Sequence, residues 1–211
     1  FLEFTDPVHK ISVVSRGQAL GFTISLPTED KFLTTRQELM DTLSMTLGGR
    51  AAEEVVFGEI TTGAANDLEK ATATAKQMIM RYGMSEELGP RTLGHDQSMP
   101  FLGREFQQQA DYSEEIARQI DDEIRRIIEE AHQRAKDLLT EKRELLDRIS
   151  RILIARETIE AHEFEALIDG LSEEEVIGER DERGRGRTEQ PKPERRHPAR
   201  QRPVPHPAHL D

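Results

Sequence analysis

The stretch Thr61-Thr62-Gly63-Ala64-Ala65-Asn66-Asp67-Leu68-Glu69-Lys70-Ala71-Thr72 predicts a turn that passes directly into a helix. Gly63 suits the turn. The residues that follow place an apolar stripe at helical spacing, formed by Leu68, Ala71, Ala75, Met78, Ile79 and Tyr82. At 100° per residue, Asp67 lies about 70° from the centre of that stripe. Its carboxylate is therefore expected in the first helical turn, at the edge of the buried face.

Two interpretations of Asp67 are open at this point. An acidic residue in the first turn interacts favourably with the positive end of the helix dipole, and Asn66 and Glu69 have the spacing of a capping box. The second interpretation starts from burial, because a carboxylate turned partly into a core needs a partner, and a metal ion is one such partner. Asparagine caps a helix about as well as aspartate but carries no charge. The substitution Asp67→Asn therefore separates the two interpretations.

Two β-strands are predicted near the amino terminus, at residues 9–15 and 20–26. In the second strand polar Thr23 and Ser25 are expected to face solvent, and the alternate apolar residues are expected to be buried, namely Phe22, Ile24 and Leu26. The pair is either a plain flap over a helix, or an open edge to which an extended peptide adds as a further strand. The residues of such an edge would be Phe22, Thr23, Ile24 and Ser25.

The rest of the ordered part is predicted to be helical, so the fold class is mainly α with a small two-stranded β element. Thr34 or Thr35 can cap a first helix, Gly48-Gly49 interrupts it, and Ser113 caps a long helix of about 26 residues. A second long helix, at residues 145–153, is expected to fold back against the one that Ser113 caps. Thr158 is expected to introduce a short final helix. Glu53 and Glu54, in the helix after the glycines, are most simply residues of a solvated face.

Composition and charge exclude several classes of protein. The chain has 211 residues, no cysteine and a formal net charge of −12, so a disulfide framework is excluded and nucleic acid is not an expected partner. No signal peptide and no apolar run of membrane-spanning length occurs in the sequence. From Leu171 the sequence turns acidic and then rich in arginine and proline. We therefore predict a folded domain at residues 1–170 and a disordered C-terminal tail at 171–211.

Several motifs carry a resemblance to a known family. The runs Leu47-Gly48-Gly49-Arg50-Ala51-Ala52-Glu53-Glu54-Val55-Val56-Phe57-Gly58 and Thr61-Thr62-Gly63-Ala64-Ala65-Asn66-Asp67 are similar to the peptidase domain of FtsH. The FtsH proteins are membrane-anchored, ATP-dependent zinc proteases. Further matches follow in the family's order, at Asp6-Pro7-Val8-His9-Lys10, Arg16-Gly17, Ala19-Leu20-Gly21, Tyr82-Gly83-Met84-Ser85-Glu86, Phe101-Leu102-Gly103 and Tyr112-Ser113-Glu114-Glu115. The similarity covers about residues 5 to 169.

The resemblance implies a zinc site and its partners. In that family two histidines of an HExxH helix and a later aspartate hold Zn²⁺, and the aspartate corresponds to Asp67. Glu53 would hydrogen-bond a metal-ligating histidine, and the second strand would bind substrate as an edge strand. The resemblance further implies use of ATP by a separate ATPase module, a homo-hexamer, and substrates that are unfolded or membrane proteins. Membrane contact would come only through N-terminal segments, with this domain on the cytoplasmic side.

One departure from the family pattern changes what this chain can do. The sequence contains no HExxH motif, and so no catalytic residues of that motif. We expect the HExxH helix, the ATPase module and the membrane segments to precede Phe1, and the isolated chain to bind zinc weakly and to lack peptidase activity. Two alternatives are a helical interaction or scaffold module without catalysis, and a degenerate, zinc-free relative of the protease.

Overall fold

The computed structural model describes residues 1–14, 21–26, 32–94, 112–172 and 174–175. The fold is mainly α, as the sequence predicts, with a small antiparallel sheet. The strands are β1 (Val8–Ser12), β2 (Phe22–Ser25) and β3 (Thr158–Glu160). The helices are α1 (Arg36–Thr46), α2 (Gly48–Phe57), α3 (Ala65–Met80), α4 (Glu114–Glu141), α5 (Arg143–Arg156) and α6 (Ala161–Ile168), with a short 3₁₀ helix at Thr62–Ala64.

Within the described residues the sheet has three strands, in the order β2-β1-β3, where the sequence predicted two. Both predicted strands are present, and β3 pairs antiparallel with the other side of β1. Thr158, which was expected to introduce the final helix, lies in β3, and α6 begins at Ala161. A strand of three residues is too short to show the alternation from which strands are recognised. The buried side chain of Ile159 fixes β3 against α5 and α6.

The predicted burial along β2 is confirmed for Thr23, which is exposed, and is wrong for Ile24 and Leu26, whereas Phe22 and Ser25 are half-buried. Ile24 is 37% exposed and Leu26 is 49% exposed. Thr23 lies opposite Ile11, which in turn lies opposite the buried Ile159. Directly opposite residues of antiparallel strands project from the same face. The apolar residues of β2 therefore project from the face away from Ile159, beside Lys10 of β1. None of the four residues of β2 is fully buried, so the alternation in the sequence does not correspond to one buried and one exposed face.

The main core is built by α1, α3 and α4, with the loop that follows α3. Its fully or nearly buried side chains are Met40, Leu43, Leu47, Ala71, Ala75, Met78, Ile79, Leu88, Leu93, Ile120, Ile127 and Ala131. The predicted stripes of α1, α3 and α4 are confirmed by this set. Tyr82 is an exception, because α3 ends at Met80 and the tyrosine is 49% exposed.

Helix boundaries follow the predicted capping residues closely. Thr35 caps α1 in a capping box with Glu38, and Ser113 caps α4 by accepting a hydrogen bond from the Ile116 N–H. The break before Gly48-Gly49 is a single residue, Leu47, between α1 and α2. The α4 helix has 28 residues, and its length is about 42 Å at 1.5 Å per residue.

The α5 helix does not pack as the sequence predicted. Only Lys142 separates it from α4. Its apolar side chains form a second cluster, in which Ile152 packs with Ile159 of β3 and Leu167 of α6. They therefore stabilise the sheet rather than folding back on the stripe of α4. The sequence spacing identified the stripe of α5, but spacing within a helix does not identify the surface that covers it.

A buried carboxylate on α4 holds the loop after α3. Glu123 is 3% exposed. It accepts hydrogen bonds from the Ser85 hydroxyl at 2.7 Å and from Arg126 Nε at 2.7 Å and Nη2 at 3.0 Å. The Ser85 Oγ accepts in turn from the Leu88 N–H at 3.1 Å. The Arg126 guanidinium, and after it the Ser85 hydroxyl, hold the pKa of the Glu123 carboxyl below its usual range.

We expect Glu123→Gln to remove an acid-sensitive part of the stability. A folded-state pKa below the unfolded value stabilises the fold above the ordinary glutamate pKa of about 4.3, and this contribution disappears as the pH falls below it. At pH 7 the variant should lose about 1–2 kcal/mol of unfolding free energy, because hydrogen bonds to a charged acceptor are weakened. The deficit should shrink as the pH falls below about 4.

Urea unfolding of the chain between pH 3 and pH 7 measures this effect. Glu130→Gln is the matched control, since Glu130 also faces Arg126, at 3.4 Å, but its side chain is 52% exposed. The control should change stability by less than about 0.5 kcal/mol at all these pH values. A deficit for Glu123→Gln that does not depend on pH would contradict the assignment.

Candidate metal site

Asp67 is the third residue of α3, in its first turn. Its side chain is 43% exposed, and Oδ1 lies 3.4 Å from Nζ of Lys70. The residue next to it on the helix, Leu68, is half-buried, and Ala71 one turn further is fully buried. The carboxylate therefore sits at the edge of the buried face, as the helical wheel predicts. A half-exposed anionic oxygen at a helix start can bind a cation without first being freed from a buried ion pair.

The capping-box interpretation of this helix is wrong. The N-cap residue is Ala64, which has no side chain able to accept a hydrogen bond, and α3 begins at Ala65. Asn66 and Glu69 consequently both lie inside the helix rather than at its cap and N3 positions. Asp67 retains the favourable position of an acidic residue near the positive end of the helix dipole. That interaction does not compete with a metal ion for the oxygen atoms.

Glu53 contacts the chain segment that leads into α3. Its Oε2 accepts from the Thr61 N–H at 2.9 Å, and its Oε1 accepts from the Thr61 hydroxyl at 2.7 Å. These two donors, the hydroxyl first, hold the pKa of the Glu53 carboxyl below its usual range. Glu53 thus contacts the turn that leads into α3, a few residues before Asp67. A hydrogen bond that Glu53 would accept from a metal-ligating histidine stays a prediction.

Glu54 does not lie on a freely solvated face. Its carboxylate is 3.0 Å from Lys136 Nζ and 3.2 Å from His132 Nε2, both on α4, and 3.6 Å from Arg50 Nε. The hydrogen bond from Lys136, followed by the nearby charges, holds the pKa of Glu54 below its usual range. This cluster joins α2 to α4 by charge. The neighbouring Glu53 is thereby oriented toward the loop at the other side of α2.

The described residues do not supply a complete zinc site. Among residues 1–14, 21–26, 32–94, 112–172 and 174–175, no group of three His, Cys, Asp or Glu side chains could hold a metal ion. Zinc takes four ligands in tetrahedral geometry, with at least three from protein at catalytic sites. Asp67 fits the part of one carboxylate ligand, and further ligands have to come from elsewhere. His95 lies outside the described residues.

The predicted substrate strand lies at an open edge in the described part of the sheet. β2 pairs with β1 on one side, and the strand order puts no described strand on its other side. The Leu26 N–H donates to the Pro7 carbonyl, toward β1. Main-chain groups alternate in direction along a strand, so those of Thr23 and Ser25 point toward the open edge. None of the helices in the described part of the chain combines the length and the apolar character that crossing a membrane requires.

Two structurally important positions are not predicted from the sequence. The predicted turn includes Thr61 without its partner Glu53, and the buried Asp41 is not among the predicted positions. For Thr61 a signal was present, because a threonine before a turn commonly bonds a nearby main-chain N–H. For Asp41 nothing in the local pattern indicates that its carboxylate is buried.

Comparison with known proteins covers most of the chain. The sequence model described as "Peptidase family M41" matches residues 1–167. The chain is 75% identical over 178 residues to "ATP-dependent zinc metalloprotease FtsH 1" of Conexibacter woesei, which covers 84% of this chain and 27% of that relative. It is 53% identical over 180 residues to the FtsH protease of Rubrobacter xylanophilus, covering 85% of this chain and 27% of the relative. The chain thus spans about a quarter of the length of these curated relatives.

Proposed function

The chain belongs to peptidase family M41, and we propose that it is the C-terminal part of a membrane-anchored, ATP-dependent zinc metalloprotease that degrades unfolded or membrane proteins. The observation that carries the proposal is the match itself, which covers residues 1–167 of this chain and reaches 75% identity with a relative named as an ATP-dependent zinc metalloprotease. The position of Asp67 at the start of α3 supports it, because the resemblance places the third zinc ligand there.

Asp67 is the residue of this chain that we assign to the metal. In the proposed subunit the HExxH helix supplies two histidines, and its glutamate is the general base. When bound in such a site, zinc lowers the pKa of a water molecule and polarises the carbonyl of the peptide bond. In such a site the role of this chain would be to hold one anionic oxygen, that of Asp67, at the edge of the packed helix α3.

The assembly and location of the subunit follow from the same resemblance. We propose a homo-hexamer in which a separate ATPase module uses ATP to deliver substrates, with membrane segments outside this chain and the peptidase domain on the cytoplasmic side. The relatives' names support the dependence on ATP and zinc.

A chimera tests the proposal most simply. In it this chain replaces the matching 178 residues of the Conexibacter woesei relative, so that all further segments come from a complete protein. We expect the chimera to degrade an unfolded protein only with both ATP and zinc, and a chelator to stop the reaction. A folded chimera that binds no zinc and degrades nothing would instead make this chain a helical interaction module or a zinc-free relative.

We further propose that β2 binds substrate by strand addition. Thr23 and Ser25 offer main-chain donors and acceptors at the open edge, and such binding is nearly independent of sequence. An added strand would place alternate side chains beside Phe22 and Ile24, whose partial exposure leaves apolar surface on that face. Substrate segments with apolar residues at every second position would therefore bind best.

Thr23→Pro is expected to weaken substrate binding without affecting the metal. Proline removes one outward-pointing donor, while an edge strand tolerates the ring. Losing one hydrogen bond of about 0.5–1.5 kcal/mol should raise the KM of the chimera for an unfolded protein about 2- to 10-fold. Thr23→Val, which keeps the N–H, is the control. Equal KM values for the two variants would exclude the strand-addition role of Thr23.

A further inference from the structure

One threonine makes three hydrogen bonds in the segment that joins α2 to α3. The segment starts at Gly58, whose positive φ of 70° ends α2. Thr61 donates its N–H and its hydroxyl to the two oxygens of Glu53, at 2.9 and 2.7 Å. Its Oγ1 accepts the Gly63 N–H at 3.1 Å. The three bonds of Thr61 tie the α2 helix to the turn in front of α3.

The turn after Thr61 continues directly into α3, because the 3₁₀ helix Thr62–Ala64 is followed at once by Ala65, the first residue of α3. Thr61 has extended backbone angles and caps the 3₁₀ helix Thr62–Ala64, and the Ala65 N–H donates to the Thr62 carbonyl. Ala64 is 7% exposed, so the end of this short helix is fixed in the core. Asp67 follows in the first turn of α3. Core packing holds the body of α3, and the Glu53–Thr61 pair adds a direct link between α2 and the turn that leads to Asp67.

Gly63 shows how closely the turn is fitted around the Thr61 hydroxyl. A Cβ at this position would lie 3.2 Å from Thr61 Oγ1 and 3.8 Å from Glu53 Oε1. The first distance is tighter than ordinary van der Waals contact, so a side chain would displace the hydroxyl. Glycine at position 63 therefore leaves room for the Thr61 hydroxyl in the rotamer that bonds both Glu53 and Gly63.

We propose that Thr61 is a positioning residue for Asp67. Through its hydrogen bonds Thr61 holds the first turn of α3 in a fixed place relative to Glu53 on α2. This inference rests on the proposed function, since it takes Asp67 as a zinc ligand. Metal ligands have to be held within a few tenths of an ångström, and losing a group that orients a ligand typically costs 10- to 100-fold in metal affinity. On this account Glu53 affects the metal site through Thr61.

Amide hydrogen exchange on the full chain tests whether the hydrogen bonds of Thr61 hold the turn in place, independently of zinc. In Thr61→Val, which keeps the shape but loses the hydroxyl, we expect faster exchange of the amides from Gly63 to Leu68, by about 10-fold or more. Thr61→Ser keeps the hydroxyl and should restore the slow exchange. Thr62→Val removes the hydroxyl of the exposed neighbouring threonine and should leave it unchanged. Unchanged exchange in Thr61→Val would overturn the proposal.

Zinc affinity of the chimera, measured by competition with a chelator, tests the consequence for the metal. We expect Thr61→Val to raise the zinc dissociation constant at least about 10-fold, and Thr61→Ser to raise it less than about 3-fold. Glu53→Ala should have an effect like that of Thr61→Val, and the double variant should be no worse than either single one. Additive effects would overturn the proposal, because Glu53 would then act on the site by its own route.

The zinc affinity of Asp67→Asn, measured in the same way, tests the proposed zinc ligand separately from the proposed positioning role of Thr61. If it loses zinc while Thr61→Val binds normally, the positioning role is overturned and the proposed zinc ligand stands. If Asp67→Asn keeps its zinc, the proposed ligand and the positioning role fall together.

Discussion

Replacing Asp67 by asparagine or alanine in the chimera is expected to abolish zinc-dependent peptide hydrolysis and to lower zinc affinity by more than about 100-fold. An anionic oxygen neutralises part of the charge of the metal, a neutral amide oxygen does so poorly, and alanine offers no donor atom. The carboxylate is 43% exposed, and its pair with the exposed Lys70 at 3.4 Å is a weak surface ion pair that a bound metal can replace.

The same substitutions should leave the fold nearly intact. Asp67 does not cap α3, and its remaining contribution is the interaction with the helix dipole, worth about 0.3–1 kcal/mol at an exposed site. Helicity by circular dichroism should therefore match that of the unsubstituted chimera. Glu69→Gln, two positions along on the exposed side of the same turn, is the control and should keep both zinc and activity. Full activity in Asp67→Asn would leave Asp67 with an electrostatic role only.

Replacing Asp41 by alanine is expected to cause a large loss of stability, about 2–4 kcal/mol. Its side chain is 0% exposed and joins three parts of the fold. Oδ1 lies 2.6 Å from Arg134 Nη1 on α4 and accepts from Gln37 Nε2 at 3.2 Å, whereas Oδ2 accepts the Phe4 N–H at 3.1 Å. Without the carboxylate, the amino-terminal segment loses its attachment to α1. Arg134, at 38% exposed, regains some hydration, which keeps the loss from being larger.

Urea unfolding of the chain, followed by circular dichroism at neutral pH, measures this loss. Asp137→Ala is a close control, because Asp137 also accepts from a glutamine four residues earlier, Gln133 at 2.8 Å, but on an exposed helix face. The control should cost less than about 0.5 kcal/mol. A comparable small cost for Asp41→Ala would show that the buried carboxylate is energetically neutral, contrary to this account.

The helices were predictable because their information is local. The apolar residues of α1, α3 and α4 recur every three or four positions, a spacing that places them on one face of a helix. Thr35 and Ser113 supply the capping oxygens at the starts of α1 and α4. The resemblance to the family added what spacing could not, namely the association of Asp67 with zinc. Spacing alone placed Asp67 at the edge of a buried face and left its role open.

The features that escaped prediction depend on contacts between distant segments. β3 has three residues and exists because β1 offers its second edge, some 150 positions earlier in the chain. The exposure of Ile24 in β2 is set by the register with β1, and the partner of the α5 stripe by the position of β3 and α6. The same reason applies to the burial of Asp41, whose partner Arg134 lies on another helix. The predicted boundary near residue 170 and the disordered tail remain predictions, since residues 176–211 lie outside the described residues.

The most direct measurement of the central claim is an anomalous difference map recorded at the zinc absorption edge from crystals of the zinc-loaded chimera. We expect a peak at the start of α3, with an Asp67 carboxylate oxygen at about 2.0–2.2 Å from the metal. A fully occupied zinc peak whose coordination shell excludes Asp67 would contradict it.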